Sequence, residues 1–488
     1  MAWVFEVDWD LNGTYTDETA RVLEFEIRRG KSRMINDRGF EHVEPGFLTV
    51  KLSNVSRRYD FFNTAGDLYG YLLPNRPVRI LKDGNYLFVG KLNDLRPMDR
   101  GRYAWLEAYD GIYGLQNNPA GLGALQTDYL VTEAIIALLT DAGWEYVDTS
   151  GWTFPAELGV DSYLGSALII NNGDTIPYWW GDNEQSTWDA INEIADAFGG
   201  IAYVAADGTF AYKARSSSAV NSITLTDDDI SFDTEMKQPW GDIRNTIKLT
   251  GRPRQEQAAV GDIWEMYETP LIEAGKTLTV WAEFRYESDH APATTITDPA
   301  ATTDYLANTQ EDGGGDNKTA DISIVITKYA ATAKLAITNN AAVDVYLTLM
   351  KLRGKLALAQ QPIIATSENS TSQTAYGKRS LNLDNRWIQT ADLLTNYSQH
   401  IRMVFSNPRI AFGAKIIDKP QFQFGVDLFQ RVTVQSDILG VDAVYSVNSI
   451  NHIFRRGHLY TTYRLDPSET EGYWVFSTRL GQTSYLGW

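Results

Sequence analysis

The run from Ser53 to Pro97, SNVSRRYDFFNTAGDLYGYLLPNRPVRILKDGNYLFVGKLNDLRP, constrains the fold more than any other stretch of the chain. Pro74 and Pro77 stand just ahead of Val78-Arg79-Ile80-Leu81, where a fixed φ and a missing N–H suit the first residues of a strand better than its middle. Asp83-Gly84 then reverses the chain, because glycine reaches positive φ without steric cost, and Tyr86 to Gly90 supplies the returning strand. The spacing predicts that Arg79-Ile80 pairs with Phe88-Val89.

The remainder of residues 1–114 has the same texture. Phe5 to Trp9, Val22 to Ile27, Phe47 to Leu52 and Tyr103 to Tyr109 alternate apolar and polar with period two, as half-buried strands do. So many strands in little over a hundred residues predict a small closed or split barrel. The glycine-rich stretch Gly111 to Gly123 marks its exit.

Helical spacing begins at Thr127. Thr127 and Asp128 are placed as caps of a helix carrying Val131, Ala134, Ile135, Leu138, Leu139 and Ala142, ended by Gly143. A stronger helix starts at Ser186, with Asp189 three residues on as a capping-box variant and Trp188, Ile191, Ile194, Ala195 and Phe198 on one face. Gly199-Gly200 stops it, and a hairpin follows through Asp207-Gly208.

These patterns resemble one known family. Arg58-Tyr59-Asp60, Leu68 to Ile80 and Leu87 to Pro97 resemble motifs of the baseplate-hub or tail-tip (minor tail) proteins of long-tailed bacteriophages. WDAINEIADAFGGIAYVAADGTFAYKAR is similar to the small α/β domain of that family, Gly241 to Gly251 to the strand opening its second barrel, and Asp427 to Val434 with Tyr445 to His452 to its C-terminal strand pair. The resemblance implies a mainly β, multidomain chain. It would hold a first tube-type β-barrel (1–114), an α/β domain (115–235) and a second tube-type barrel (236–253 plus 368–470). Outside the resemblance, strand-like alternation as in Leu278 to Tyr286 and Val343 to Leu352 predicts a β-sandwich inserted at 254–367, and an apolar C-terminus predicts a docking segment (471–488). The second barrel is expected to hold a helix at 390–405 and strands at 411–417, 428–434, 444–453 and 459–465. Inside the insertion, Asn308 to Thr319 with Gly313-Gly314-Gly315 is expected to be an exposed, mobile loop.

The resemblance also implies a role: a structural virion protein and not an enzyme, assembled in the host cytoplasm as a homotrimeric ring at the tail tip. Its partners would be the distal tail protein or tail tube above, the tape-measure C-terminus inside and a distal fibre or spike below. DNA would be only a transient cargo of the lumen. The alternatives are a glycan-binding or glycan-degrading tail protein, and the hub of a phage-derived contractile injection system.

Composition bounds these readings. Forty-three basic against sixty-two acidic residues give −19, so a phosphate backbone is repelled rather than held. Such a charge keeps a surface soluble; in a ring it would also make an acidic bore that DNA passes without sticking. The absence of cysteine removes disulfides, thiolate nucleophiles and Cys-based zinc sites together. No apolar span suggests a membrane helix, and the acidic N-terminus is unlike a secretory signal.

The search for chemistry predicts no catalytic, cofactor or metal site. His42, His290, His400, His452 and His458 show no ligand spacing, and His452 and His458 are expected to flank a strand turn. Asp227-Asp228-Asp229 and Glu311-Asp312 with Asp316 do not fit a calcium loop and read as solvated charge. Aromatics are the remaining signal. Trp264, Tyr267, Trp281 and Tyr286 are candidates for glycan or subunit contact, with core filling or subunit contact favoured over stacking on sugar rings. Tyr473, Trp474, Phe476, Leu480 and Trp488 make the C-terminus too apolar for a free tail and are expected to dock on the chain itself or a neighbour.

Overall fold

The computed structural model describes residues 3–36, 39–144, 161–164, 167–170, 173–182, 184–215, 223–231, 234–287 and 289–467. The expected docking segment, Tyr473 to Trp488, lies outside the described residues.

Seven strands open the chain: β1 (Val4–Val7), β2 (Thr16–Asp17), β3 (Val22–Gly30), β4 (Glu44–Ser53), β5 (Pro77–Lys82), β6 (Asn85–Met98) and β7 (Tyr103–Tyr109). The expected hairpin forms, with Arg79 opposite Val89 and Ile80 opposite Phe88. Asp83 and Gly84 both take positive φ, 51° and 81°, the turn whose twist matches that of the flanking strands. Phe5, Ile27, Leu48, Val50, Leu52, Val78, Ile80 and Leu106 are fully buried in one core. The glycine-rich exit is in part helical. It opens with helix α1 (Gly111–Asn117), because the Asp110 carboxylate accepts the Ile112 N–H at 3.0 Å and Ile112 and Leu115 bury their side chains.

The α/β part holds β8 (Gln126–Leu130), α2 (Val131–Asp141), β9 (Asp161–Leu164), β10 (Ala167–Ile170), β11 (Thr175–Trp179), α3 (Thr187–Phe198), β12 (Ile201–Val204) and β13 (Phe210–Lys213). Thr127 and Asp128 do not cap α2. They lie in β8, whose pairing with β11 takes their backbone, and α2 starts at Val131 with the Glu133 carboxylate reaching back to the Leu130 N–H. Helix α3 forms as expected: Ser186 Oγ accepts the Asp189 N–H at 3.1 Å, and Gly199 ends it at φ 67°. The β12–β13 hairpin follows directly.

After β14 (Ile223–Thr226) and β15 (Glu235–Lys237) comes β16 (Thr246–Gly251). The inserted region contains β17 (Arg254–Glu256), β18 (Gly261–Glu265), β19 (Leu271–Ile272), β20 (Thr277–Glu283), β21 (Arg285–Tyr286), β22 (Asp289–His290), β23 (Ala293–Thr297), β24 (Tyr305–Asn308), β25 (Ile322–Lys328), β26 (Thr332–Asn339), β27 (Val345–Ala359) and β28 (Ile363–Glu368). One sheet is organised on the fifteen-residue β27, which pairs in turn with β17, β18, β19, β23 and β24. The other has the order β20-β26-β25, and Ala282, Phe284, Leu335, Ile337, Leu347 and Leu352 form a separate core with their neighbours. The 308–319 loop is exposed at Glu311 to Gly314, while Asn308 and Thr319 at its ends are buried.

The chain closes with α4 (Ser370–Tyr376), β29 (Ser380–Asn385), α5 (Ala391–Phe405), β30 (Ala411–Ile417), α6 (Pro420–Gln423), β31 (Arg431–Ser436), β32 (Val441–Arg455) and β33 (His458–Pro467). Strand β16 pairs with β28 and β29 in a three-stranded sheet under α5, and not with the C-terminal strands. Those strands instead extend the N-terminal sheet. Among the described residues one thirteen-stranded sheet runs β15-β30-β33-β32-β3-β4-β7-β6-β5-β1-β2, with β31 beside β32 and β14 beside β31.

No strand pairing among the described residues closes either half: of the closed or split barrel expected for residues 1–114 the open form is seen, and the C-terminal strands continue the same sheet. A strand has two edges, and those of β3 are taken by β4 and β32, so neither is left for β1. The sheet still curls strongly, bringing Trp3 edge-on to Phe25 with ring centroids 5.0 Å apart. The mainly β class with a minority of helix stands.

Candidate functional site: the seam and the aromatic loop

Two features stand out as built rather than incidental. The first is the seam where β3 meets β32. Six residue pairs run from Phe25 opposite Phe454 to Gly30 opposite Ser449. Trp3, Phe25 and Phe454 form an aromatic triangle over it, with centroids 4.8–5.5 Å apart. Phe424 and Leu459 from the C-terminal half are buried in the N-terminal core, so that core is incomplete without them.

A buried polar junction lies at the inner end of the seam. Arg29 Nη1 donates to Asp427 Oδ1 at 2.7 Å and Nη2 to the Val204 carbonyl at 2.8 Å, while Asp427 Oδ2 accepts the Ala206 N–H at 2.8 Å. One guanidinium thus ties strand β3, the β12–β13 hairpin and the segment before β31 together. Burial works to raise the Asp427 carboxyl, but Arg29 and the backbone N–H groups outweigh it and hold it below its ordinary value. Asp110, near Arg29, behaves oppositely: burial dominates and lifts it to about 7 despite N–H groups of Gly46 and Ile112. His452, buried and 2.8 Å from Thr461 Oγ1, is lowered to about 3 by burial and then by the Arg29 charge.

The second feature is the loop from Asn54 to Arg76. Its anchor is Glu18, which is fully buried. Glu18 accepts hydrogen bonds from Trp9 Nε1 at 3.0 Å, Tyr59 Oη at 2.7 Å and Arg58 Nη2 at 2.8 Å. Asn54 Oδ1 takes the Tyr59 N–H at 2.9 Å, and buried Arg76 donates to the Tyr71 carbonyl at 3.2 Å. The loop is therefore fixed from beneath. Its outer side nevertheless presents Val55 (80% exposed), Phe62 (87% exposed), Phe61, Tyr69, Tyr71 and Leu73. Exposed apolar side chains on a loop fixed from beneath make it a candidate interaction surface. The sequence motif Arg58-Tyr59-Asp60 pointed to this loop; the outward faces of Phe61 and Phe62 emerge only with the coordinates.

The aromatic candidates of the insertion do not form one cluster. Trp264 on β18 is half-buried against the sandwich core, and Tyr267 just beyond it is 94% exposed. Trp281 on β20 and Tyr286 on β21 are exposed, and the Trp281 ring stacks on Tyr329 at 5.8 Å. The histidines scatter. His42 lies 3.0 Å from Asp196, His400 stacks on Tyr397, His290 is exposed on β22, and His452 and His458 flank the β32–β33 turn as expected. The acid cluster has local partners: Asp227 accepts from Ser436 Oγ and from the N–H groups of Asp437 and Ile438, and Asp229 meets Lys419 at 3.0 Å. No helix among the described residues is long and apolar enough to cross a membrane.

No family model matches the sequence, and no curated protein matches it. Solved structures do. The 43 kDa tail protein of prophage MuSo2 from Shewanella oneidensis superposes with a TM-score of 0.50 at 10% identity, covering 95% of this chain and 97% of its own. A tail protein from Neisseria meningitidis MC58 superposes with a TM-score of 0.51 at 10% identity, covering 96% of each chain. Over nearly its whole length this chain has the fold of these tail proteins.

Proposed function

We propose that the protein is a structural component of a phage tail tip, a baseplate hub whose three copies form a ring. The observation that carries this reading is the likeness to solved tail proteins over nearly the whole of both chains. The two sheet halves joined at β3 and β32 give each copy two adjoining units, so three copies would set six around one axis and match a sixfold tube. The fixed aromatic loop supplies a preformed surface for a neighbouring subunit or for the distal tail protein or tube.

In this role the ring surrounds the tape-measure C-terminus, carries a distal fibre or spike below, and lets DNA through a lumen for which a chain of net charge −19 can supply acidic side chains. Its work is assembly and not covalent chemistry, and its place is the virion tail. Immunogold labelling of intact particles tests the reading: label at the distal end of the tail is expected, and label confined to the capsid sinks it. Sedimentation of the assembled protein at three times 54.7 kDa tests the ring.

A further inference from the structure

The outer face of the β20-β26-β25 sheet does not belong to any core. Along β20 the side chains alternate strictly, with Leu278, Val280 and Ala282 turned inward and Thr277, Thr279 and Trp281 outward. The register carries this across the sheet. Trp281 lies opposite Lys334, which lies opposite Thr327; Thr279, Ala336 and Val325 make the next row, and Thr277, Thr338 and Ser323 the third. At the end of the sheet the Tyr329 ring stacks on Trp281, centroids 5.8 Å apart and 18° from parallel, with the Lys334 ammonium 5.9 Å from the indole centroid.

The composition of this face selects its ligand. Trp281 keeps half of its surface in solvent although a full core lies directly beneath it. The face carries the hydroxyls of Thr279 and Thr327 near the indole and those of Thr277, Thr338 and Ser323 in the far row, the latter held in place: Thr277 and Thr338 share a hydrogen bond of 2.8 Å, and Ser323 Oγ accepts from Asn340 Nδ2 at 3.1 Å. A protein interface centres on a broad apolar patch. Here only Val325 and Ala336 accompany the aromatic pair. An indole face instead attracts the weakly positive C–H groups of a sugar ring, through the negative face of its quadrupole, while the threonine hydroxyls exchange hydrogen bonds with sugar hydroxyls. A single ammonium on the central strand, in a chain of net charge −19, gives no hold for a polyanion.

We infer that this face is a carbohydrate-binding platform for a neutral polysaccharide of hexose or N-acetylhexosamine units, with Trp281 as the stacking residue and Thr279, Thr327 and Lys334 as hydrogen-bonding partners. The inference is independent of the hub reading, since it concerns the inserted sandwich alone.

The test is an array of neutral bacterial cell-surface polysaccharides, with dextran and chitohexaose included, probed with the full chain. Binding to at least one neutral polysaccharide is expected. Trp281→Ala should weaken it tenfold or more, Trp281→Phe should restore part of it, and Thr279→Ala or Lys334→Ala should each weaken it about threefold. The two polar variants replace exposed side chains and keep the test valid if Trp281→Ala is unstable. Silence across the array overturns the inference, as does undiminished binding by Trp281→Ala. A change in native mass on Trp281→Ala without a change in glycan binding would make the face a protein interface and overturn it too.

Discussion

Arg29 and Asp427, 398 residues apart in sequence, meet at 2.7 Å across the joint between the two halves of the sheet. The Arg29 side chain is almost wholly buried, so its charge has no solvent to turn to if Asp427 is lost. Because the same guanidinium also holds the Val204 carbonyl, the pair acts as a three-way clasp and not as an isolated ion pair.

Breaking one side of that clasp should be costly. Removing a single partner of a buried pair typically costs about 3–5 kcal/mol, because an uncompensated charge stays behind. Asp427→Leu should therefore lower the urea midpoint of unfolding strongly, and adding Arg29→Met should recover part of the loss. Equal or additive losses in the double variant would show that the pair is not coupled.

Asp110 and His452 should make stability depend on pH in opposite directions. Asp110 titrates at about 7 in the folded chain, above its ordinary 3.8, so its contribution is fully present below about pH 4 and is lost as pH rises through 7. His452 titrates at about 3, below its ordinary 6.5, so its contribution is present above pH 6.5 and is lost as pH falls toward 3. Asp110→Asn, which keeps the cap, should raise the melting temperature at pH 8 relative to wild type and lose that advantage by pH 4. His452→Gln should flatten the fall in melting temperature between pH 6.5 and 4. Calorimetric scans across this range read both, and each effect is on the order of a few kcal/mol at its limit.

Gly30 closes β3 at φ 102°, and a Cβ there would lie 2.2 Å from the Asn448 carbonyl oxygen. The neighbour is backbone and cannot step aside. Gly30→Ala should cost at least about 2 kcal/mol through backbone strain and overpacking. Hydrogen exchange should show the loss of protection concentrated on Arg28 to Gly30 and Asn448 to Asn451. A variant as stable as wild type would mean that the seam has slack.

The aromatic loop separates folding from assembly. Tyr59→Phe leaves a buried Glu18 oxygen short of a donor and should cost about 1–3 kcal/mol. Phe62→Ser touches only a solvent-facing ring and should change stability by less than about 0.5 kcal/mol. If the loop is the docking surface, the serine variant should sediment as a smaller species while melting like wild type. Unchanged mass would move the interface elsewhere.

Much of the local structure was legible because its causes are local. The Asp83-Gly84 turn and the Ser186-to-Gly199 helix each rest on a few adjacent residues, and the outcome matched the reading. The misplaced helix cap at Thr127 has a distant cause. Threonine carries only a weak preference of its own, and the β8–β11 pairing overrode it. The candidate aromatics were also visible in sequence, but not which of them face water: Trp264 packs on a core and Trp281 does not.

By itself the sequence determined the elements whose signals are local, such as the β5–β6 hairpin and α3, since period, turn and capping are set within a few residues. Only the tertiary structure decided which strand edge meets which. Any extended edge offers the same N–H and C=O groups, so the choice of β32 over β1 as the neighbour of β3 rests on distant contacts: the Trp3, Phe25 and Phe454 rings and the Arg29 clasp. That choice joined the two halves into one continuous sheet.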